Sequence, residues 1–137
     1  QVMSAGSGVR HSEFNDEDET TSLYQIWIKP NILNVQPRWD AKEFPKNYVD
    51  DHLDLLVGNN EDAPLFIHAD ATIHAGKVHA NKTLTHRLKR SGYLLASSGS
   101  FSVNGVKLSK GDALEILDIK DLEINSTEDS ELLVIDV

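Results

Sequence analysis

The stretch Ser100–Leu117, SFSVNGVKLSKGDALEIL, contains three short β-type runs and two turn signals. SFSV and VKLS alternate polar and apolar side chains on either side of Asn104-Gly105, which predicts a two-residue type I′ hairpin. Lys110-Gly111-Asp112 predicts a second turn, which leads into a third strand over residues 113–117. The stretch therefore predicts a hairpin followed by one more strand.

Short apolar runs separated by turn residues also flank this stretch. Their rhythm favours a sandwich or barrel of antiparallel strands, and no helix-period run is longer than about two turns. The last run, Leu132–Ile135, is apolar enough to be buried on both faces of a sheet. The predicted strands outside the hairpin are 53–57, 65–67, 73–78, 84–88, 93–96, 122–125 and 132–137.

The composition fits an ordinary folded domain with an acidic surface. The chain has 137 residues, of which 39% are hydrophobic and 26% charged, so it is long enough to bury a core. Its 13 basic and 22 acidic residues give a net charge of −9, which disfavours direct binding to nucleic acid. The local basic cluster at residues 86–90 is best explained as a solvated strand end and turn.

The sequence contains no cysteine, no apolar run of membrane-spanning length and no signal segment. We therefore expect a soluble, cytoplasmic protein without a membrane partner. A reducing compartment fits the lack of cysteine. Any metal must be held by histidine and carboxylate side chains.

The tripeptide His11-Ser12-Glu13 is the main candidate for chemistry. If it is extended, His11 and Glu13 project from the same face of a strand. Non-haem Fe(II) sites use two histidines and one carboxylate, so the pair suits such a metal. Gly6 and Gly8 upstream allow a tight or positive-φ turn. On spacing alone, a structural His–Glu pair is the commoner explanation of this pattern.

The context of the tripeptide resembles a known family. Gly8-x-x-His11-x-x-x-Asn15 resembles the second conserved motif of cupin barrels, in which the histidine is a metal ligand. More closely, QVMSAGSGVRHSE at residues 1–13 resembles the pirin family of two-domain cupins. The resemblance continues through LYQIWIKP at residues 23–30, the turn Pro37-Arg38-Trp39, and Phe44.

This resemblance implies an all-β fold of cupin type, an antiparallel β-barrel or jelly roll. Residues 1–45 would be the C-terminal part of a first cupin domain, and residues 46–137 the second cupin domain. The chain opens on Gln1 within a predicted strand, and we expect the family's His-x-His motif in a segment before it. Residues 1–28 should then form strands without their first-barrel partners, which pack on the second barrel or form a strand-swapped dimer.

The resemblance also implies a function. Pirin-like proteins suggest one divalent metal, Fe(II) by expectation, and a dioxygenase of the quercetin (flavonol) 2,3-dioxygenase type. His11 and Glu13 would be metal ligands, and Glu13 would also act as a catalytic base toward a small aromatic substrate. Without the His-x-His segment we expect weak metal binding and no activity. The alternative is a metal- or redox-dependent module that binds other proteins, including transcription regulators.

The remaining histidines give no second metal site. His74 and His79 lie five residues apart, which places them on opposite faces of an uninterrupted strand. The resemblance agrees, because the second pirin barrel usually keeps the fold and loses the metal. We expect these histidines to be hydrogen-bonded or at the surface.

Overall fold

The computed structural model describes residues 1–44 and 46–137, and these residues form twelve β-strands and no helix. Residue 45, the predicted end of the first domain, lies outside the described residues. The strands are β1 (Val2–Ser4), β2 (Arg38–Asp40), β3 (Asp54–Gly58), β4 (Leu65–Phe66), β5 (Thr72–Val78), β6 (Thr83–Arg87), β7 (Gly92–Ser98), β8 (Ser100–Val103), β9 (Val106–Ser109), β10 (Ala113–Ile116), β11 (Asp121–Ser126) and β12 (Ser130–Asp136).

Ten of these strands form two sheets that enclose one core. The six-stranded sheet has the order β10-β7-β12-β5-β3-β4, and the four-stranded sheet has the order β6-β11-β8-β9. All pairings are antiparallel except the parallel pairing of β3 with β4. The prediction of an all-β barrel over the second part of the chain is confirmed.

The hairpin between β8 and β9 forms as the sequence predicts. Asn104 and Gly105 have φ values of 48° and 85°, as both central residues of a type I′ turn require. Asn104 is also tied to β11, because its side-chain Oδ1 accepts the backbone N–H of Glu123 at 2.7 Å. At the next turn, Gly111 has a φ of 91° and the backbone N–H of Ser109 donates to Asp112 Oδ2 at 2.9 Å.

The main core lies between the two sheets, and a second apolar cluster covers the outer face of the six-stranded sheet. Strand β12 lies between β5 and β7 and contributes to both. Leu132 and Val134 point into the main core, while Leu133 and Ile135 belong to the outer cluster. The predicted burial of this strand on both faces is confirmed.

The prediction of several strands within residues 1–28 is wrong for most of that range. Only Val2–Ser4 is a strand, and it pairs with Arg38–Asp40, where the sequence predicts a turn. His11, Glu13 and the LYQIWI run all lie outside the named strands. The reason is physical: a strand needs neighbours for its backbone hydrogen bonds, and among the described residues none pairs with this run.

Residues 5–37 between β1 and β2, called the connecting segment below, are almost entirely exposed. The two-stranded ribbon of β1 and β2 still packs on the barrel, because Val2 lies in the outer cluster with Val57, Ile73 and Ile135. The backbone N–H of Asn31 also donates to His68 O at 2.9 Å. The expected packing of the N-terminal part on the second barrel is therefore observed at these anchors.

A clasp joins the chain entering the barrel to the turn between β11 and β12. Tyr48 Oη donates to Asp129 Oδ2 at 2.9 Å, and the Tyr48 ring stacks on His79 with centroids 3.6 Å apart. The next residue, Val49, is buried in the main core, and its N–H donates to Lys77 O at 2.8 Å. The chain that enters the barrel is thus held by ordered contacts at Tyr48 and Val49. Among the described residues, no helix has the length and apolar character needed to cross a membrane.

Candidate functional site

A cleft of about 430 Å³ lies between the ribbon and the start of the connecting segment. Its volume falls within the usual range for small-molecule sites, about 300–1,000 Å³. It is lined by Gln1, Met3, Val9, Arg10, His11, Pro37, Arg38 and Trp39. The cleft therefore contains one of the two predicted metal ligands, together with apolar, aromatic and cationic side chains.

The turn that leads into the cleft depends on glycine. Gly6 has a φ of 54°, and a Cβ at this position would lie 2.0 Å from Val35 O. Gly8 has a φ of 131°, and its N–H donates to Ala5 O at 2.7 Å. The prediction that these glycines allow a tight or positive-φ turn is confirmed.

The ribbon separates the cleft from the barrel. Neighbouring residues on a strand point to opposite faces, so Val2 and Arg38 face the barrel while Met3 and Trp39 face the other way. Arg38 Nη1 donates to Phe66 O at 3.0 Å, and its guanidinium carbon lies 5.7 Å from the centroid of the Phe66 ring. One face of the ribbon is thus fixed to β4, and the opposite face forms a wall of the cleft.

His11 and Glu13 are both exposed. His11 Nε2 lies 3.4 Å from Gln25 Nε2, a contact that the sequence does not reveal because the two residues are 14 positions apart. Glu13 is not among the residues that line the cleft. The two side chains do not share a strand face here, since residues 11–13 are not a strand.

The donor chemistry of this pair fits part of a metal site. An imidazole and a carboxylate are ligands that suit first-row transition metals. Among the described residues, however, no group of three or more His, Cys, Asp or Glu side chains could hold a metal ion. His11 and Glu13 therefore need further ligands to complete a site.

A pair of histidines, one buried and one partly buried, meets inside the barrel, and the sequence did not predict it. His74 of β5 and His86 of β6 form an edge-to-face contact with ring centroids 4.7 Å apart. The buried atoms His74 Nδ1 and His86 Nε2 have no hydrogen-bond partner among the described residues. Burial lowers the pKa of His86 to about 4, with a further contribution from His74, and burial also lowers the pKa of His74. Burial therefore favours the neutral form of both rings. The unpartnered ring nitrogens inside the barrel differ from the expected hydrogen-bonded or surface positions.

His79 lies at the surface, as expected, in the clasp with Tyr48 and Asp129. Its Nδ1 lies 3.5 Å from Asp129 Oδ1, and the same oxygen accepts the N–H of Ala80 at 2.9 Å. Two hydrogen bonds lower the pKa of the Asp129 carboxyl: the one from the Ala80 N–H contributes most, and the one from the Tyr48 hydroxyl comes next. The hydrogen bond to Asp129 in turn raises the pKa of Tyr48. This cluster holds the chain in place and is separate from the cleft.

The basic cluster at residues 86–90 is a strand end and turn, as predicted, except that His86 is buried. Arg90 pairs with Asp70, and this guanidinium lowers the pKa of the Asp70 carboxyl. The buried carboxylate of Asp136 accepts the backbone N–H of Lys89 at 2.7 Å. These contacts stabilise the turn, and this structural role accounts for the basic cluster.

Residues 55–137 match the family model described as the quercetinase C-terminal cupin domain of the pirins. The chain belongs to this pirin family. A pirin-like protein of Caulobacter vibrioides is 42% identical over 140 residues, covering 99% of this chain and 60% of the relative. The quercetin 2,3-dioxygenase of Escherichia coli K12 is 33% identical over 140 residues, covering 100% of this chain and 60% of the relative. The chain thus spans about 60% of the length of these curated pirin relatives.

Solved pirin structures share the fold. The crystal structure of YhhW from Escherichia coli has a TM-score of 0.72 and 25% identity, and the match covers 81% of this chain and 47% of YhhW. A second YhhW structure, a complex with nickel(II), has a TM-score of 0.69 and 23% identity, covering 79% and 47%. The all-β fold predicted from the sequence is therefore a cupin fold of the pirin type.

Proposed function

We propose that this pirin chain forms part of a mononuclear-metal dioxygenase that acts on a flavonol such as quercetin. In this proposal His11 and Glu13 are two of the metal ligands, and residues beyond these 137 supply the others. The position of His11 on the wall of a cleft large enough for a small molecule is the observation that carries the proposal. The name of the Escherichia coli relative, quercetin 2,3-dioxygenase, gives the reaction class.

His11 and Glu13 have different roles in the proposed site. The imidazole of His11 and the carboxylate of Glu13 bind and orient the ion, and Glu13 also accepts a proton from a substrate hydroxyl. When bound, the metal supplies the Lewis-acid and dioxygen chemistry of the reaction. We propose Fe(II) as the ion, and the nickel(II) complex of YhhW makes nickel the first competitor to test.

Metal analysis and oxygen uptake test this proposal on two proteins, the 137-residue chain and a protein of the relatives' full length that contains it. We expect about one metal ion per full-length protein and oxygen consumption with quercetin. The 137-residue chain should bind substoichiometric metal and remain inactive, because its described residues contain no three-ligand group.

The substitutions His11→Ala and Glu13→Ala in the full-length protein should each lower metal content at least about tenfold. His52→Ala is the matched control, because His52 is an exposed histidine that contacts Asp51 and lies outside the cleft. Stoichiometric metal in the 137-residue chain, or unchanged metal in both ligand variants, would refute the ligand assignment.

A second candidate function, binding of another protein, is favoured by the connecting segment. Its large apolar side chains are exposed to an extent that is unusual for an isolated soluble surface. The most exposed are Phe14, Leu23, Tyr24, Trp27 and Leu33. A full-length protein that binds metal stoichiometrically but consumes no oxygen with quercetin would favour this candidate over the dioxygenase.

A further inference from the structure

The exposed ring of Trp39 forms part of the wall of the cleft. It lies directly opposite Met3 in the β1–β2 ribbon, so both side chains project from the face of the ribbon that points away from the barrel. The Trp39 side chain is 69% exposed although its strand is paired. A large aromatic ring held open on a fixed strand is a surface on which a planar ring can stack.

A paired strand distinguishes Trp39 from Trp27, the other tryptophan of the chain. β2 pairs with β1 over three residues, and the neighbouring Arg38 is anchored to Phe66 O. Trp27 is even more exposed, at 86%, but lies outside the named strands in the connecting segment and does not line the cleft. A preorganised ring loses less conformational freedom on binding than a mobile one.

The charge of the cleft favours an anionic ligand. Arg10 and Arg38 are both among the residues that line it, in a protein whose net charge is −9, but the Arg38 side chain turns to Phe66 on the other face of the ribbon. Arg38 is already engaged with Phe66 O and lies 3.8 Å from Asp40. Arg10 is therefore the cation better placed to meet a ligand, and guanidinium groups bind planar oxyanions well.

We propose that Trp39 determines specificity in this cleft by stacking on a planar polyphenol, and that Arg10 pairs with an ionised hydroxyl of the same ligand. This inference rests on the proposed function, which it deepens by assigning substrate recognition to residues outside the metal-ligand pair. It places the ligand against the open face of the ribbon, next to His11. Substituting Trp39 should weaken substrate binding without removing metal.

Tryptophan fluorescence gives a direct test on the 137-residue chain without metal, because the sequence contains only two tryptophans. The probe is quercetin, and the variants are Trp27→Phe, which keeps Trp39, and Trp39→Phe, which keeps Trp27. We expect saturable quenching in Trp27→Phe. In Trp39→Phe we expect only a weak decrease in fluorescence that does not saturate as quercetin is added. Equal quenching of the two variants, or saturation only in Trp39→Phe, would overturn the proposal.

Calorimetric titration with quercetin measures affinity without relying on fluorescence. Trp39→Ala should bind about tenfold more weakly, and Trp39→Phe should recover part of this loss because it keeps an aromatic face. Arg10→Gln should also weaken binding, and more so above the pH at which the flavonol ionises. Arg87→Gln is the control, since Arg87 lies on β6 and outside the cleft. Unchanged affinity in Trp39→Ala would contradict the proposal.

Kinetics separate this inference from the proposed function. If the metal-loaded full-length protein oxidises quercetin, Trp39→Ala should raise KM about tenfold with little change in kcat or metal content. Turnover with an unchanged KM would refute the role of Trp39 and leave the dioxygenase standing. Saturable quenching of Trp39 in a protein that never consumes oxygen would keep the binding role and refute the dioxygenase.

Discussion

Phe101 in the barrel and Phe14 in the connecting segment are the same residue type at opposite extremes of exposure, 2% and 82%. Phe101 belongs to β8, which pairs with both β9 and β11 and packs in the main core. Phe14 belongs to a stretch with no strand partner among the described residues. For these two residues, burial accompanies strand pairing that also satisfies the backbone hydrogen bonds.

The same contrast applies to the two parts of the chain as a whole. Strand connections in compact domains have a median length of about four to six residues, and connections beyond about 12–15 residues are uncommon. Residues 5–37 exceed that length and carry Trp27 and Leu33 on their surface. The barrel strands therefore have partners for their backbone groups, whereas the connecting segment carries large apolar side chains without strand partners among the described residues.

The largest expected difference between the two regions comes from truncating these phenylalanines. Phe101→Ala should lower the free energy of unfolding by about 3–5 kcal/mol, because it removes a buried ring and leaves a cavity. Phe14→Ala should change it by less than about 0.5 kcal/mol. Urea denaturation of both variants measures the difference. Comparable losses would mean that Phe14 packs in solution and that the two regions fold together.

Acidification should act mainly on the barrel. The pKa of His86 is lowered to about 4, so the unfolded chain binds a proton at higher pH than the folded one. Stability is therefore full above about pH 6.5 and falls as the pH approaches 4, by at most about 3 kcal/mol. The unfolding free energy at pH 7.5 and pH 4.5 measures this loss.

The matched variants for this experiment are His86→Leu and His11→Gln. His86→Leu removes both the titrating group and a buried nitrogen without a partner among the described residues, so it should flatten the acid loss. His11→Gln changes an exposed histidine of the connecting segment and should leave the acid loss in place. An acid loss of stability in His86→Leu equal to that of the unsubstituted chain would exclude His86 as the cause.

The smallest expected effect lies at the boundary between the two regions. Arg38→Ala removes the hydrogen bond to Phe66 O, so the ribbon should detach locally while the barrel stays folded. Amide exchange at Met3 and Trp39 should rise about tenfold, the equivalent of about 1.4 kcal/mol. Arg87→Ala is the control, because Arg87 makes a solvent-exposed pair with Asp121 at 3.8 Å. Faster exchange throughout the barrel would show that the ribbon is part of its folding unit.

The sequence predicts the barrel well because local signals determine its strands. Asn104-Gly105 requires a hairpin turn, and both runs beside it, 100–103 and 106–109, are strands with the predicted bounds. The run 73–78 likewise differs from the observed Thr72–Val78 by one residue. In each case the alternation of side chains and the turn residues that determine the strand bounds lie within a few positions of each other in the sequence.

The sequence could not predict features that depend on distant parts of the chain. His74 and His86 meet because β5 and β6 belong to facing sheets, and no periodicity encodes that contact. The LYQIWI run has the alternation of a strand, yet a strand requires a partner that this pattern does not supply. In the candidate site, the positive φ at Gly6 and Gly8 was predictable, while the contact of His11 with Gln25 was not.

The clasp of Tyr48 and Asp129 has a mechanical consequence. It joins residues 81 positions apart, beside the hydrogen bond from Val49 N to Lys77 O. A pull on the chain just before Tyr48 would load these contacts before it reaches the paired strands of the main core. The entrance to the barrel therefore anchors the chain mechanically at two points, because Asp129 lies in the turn between β11 and β12 and Lys77 lies in β5.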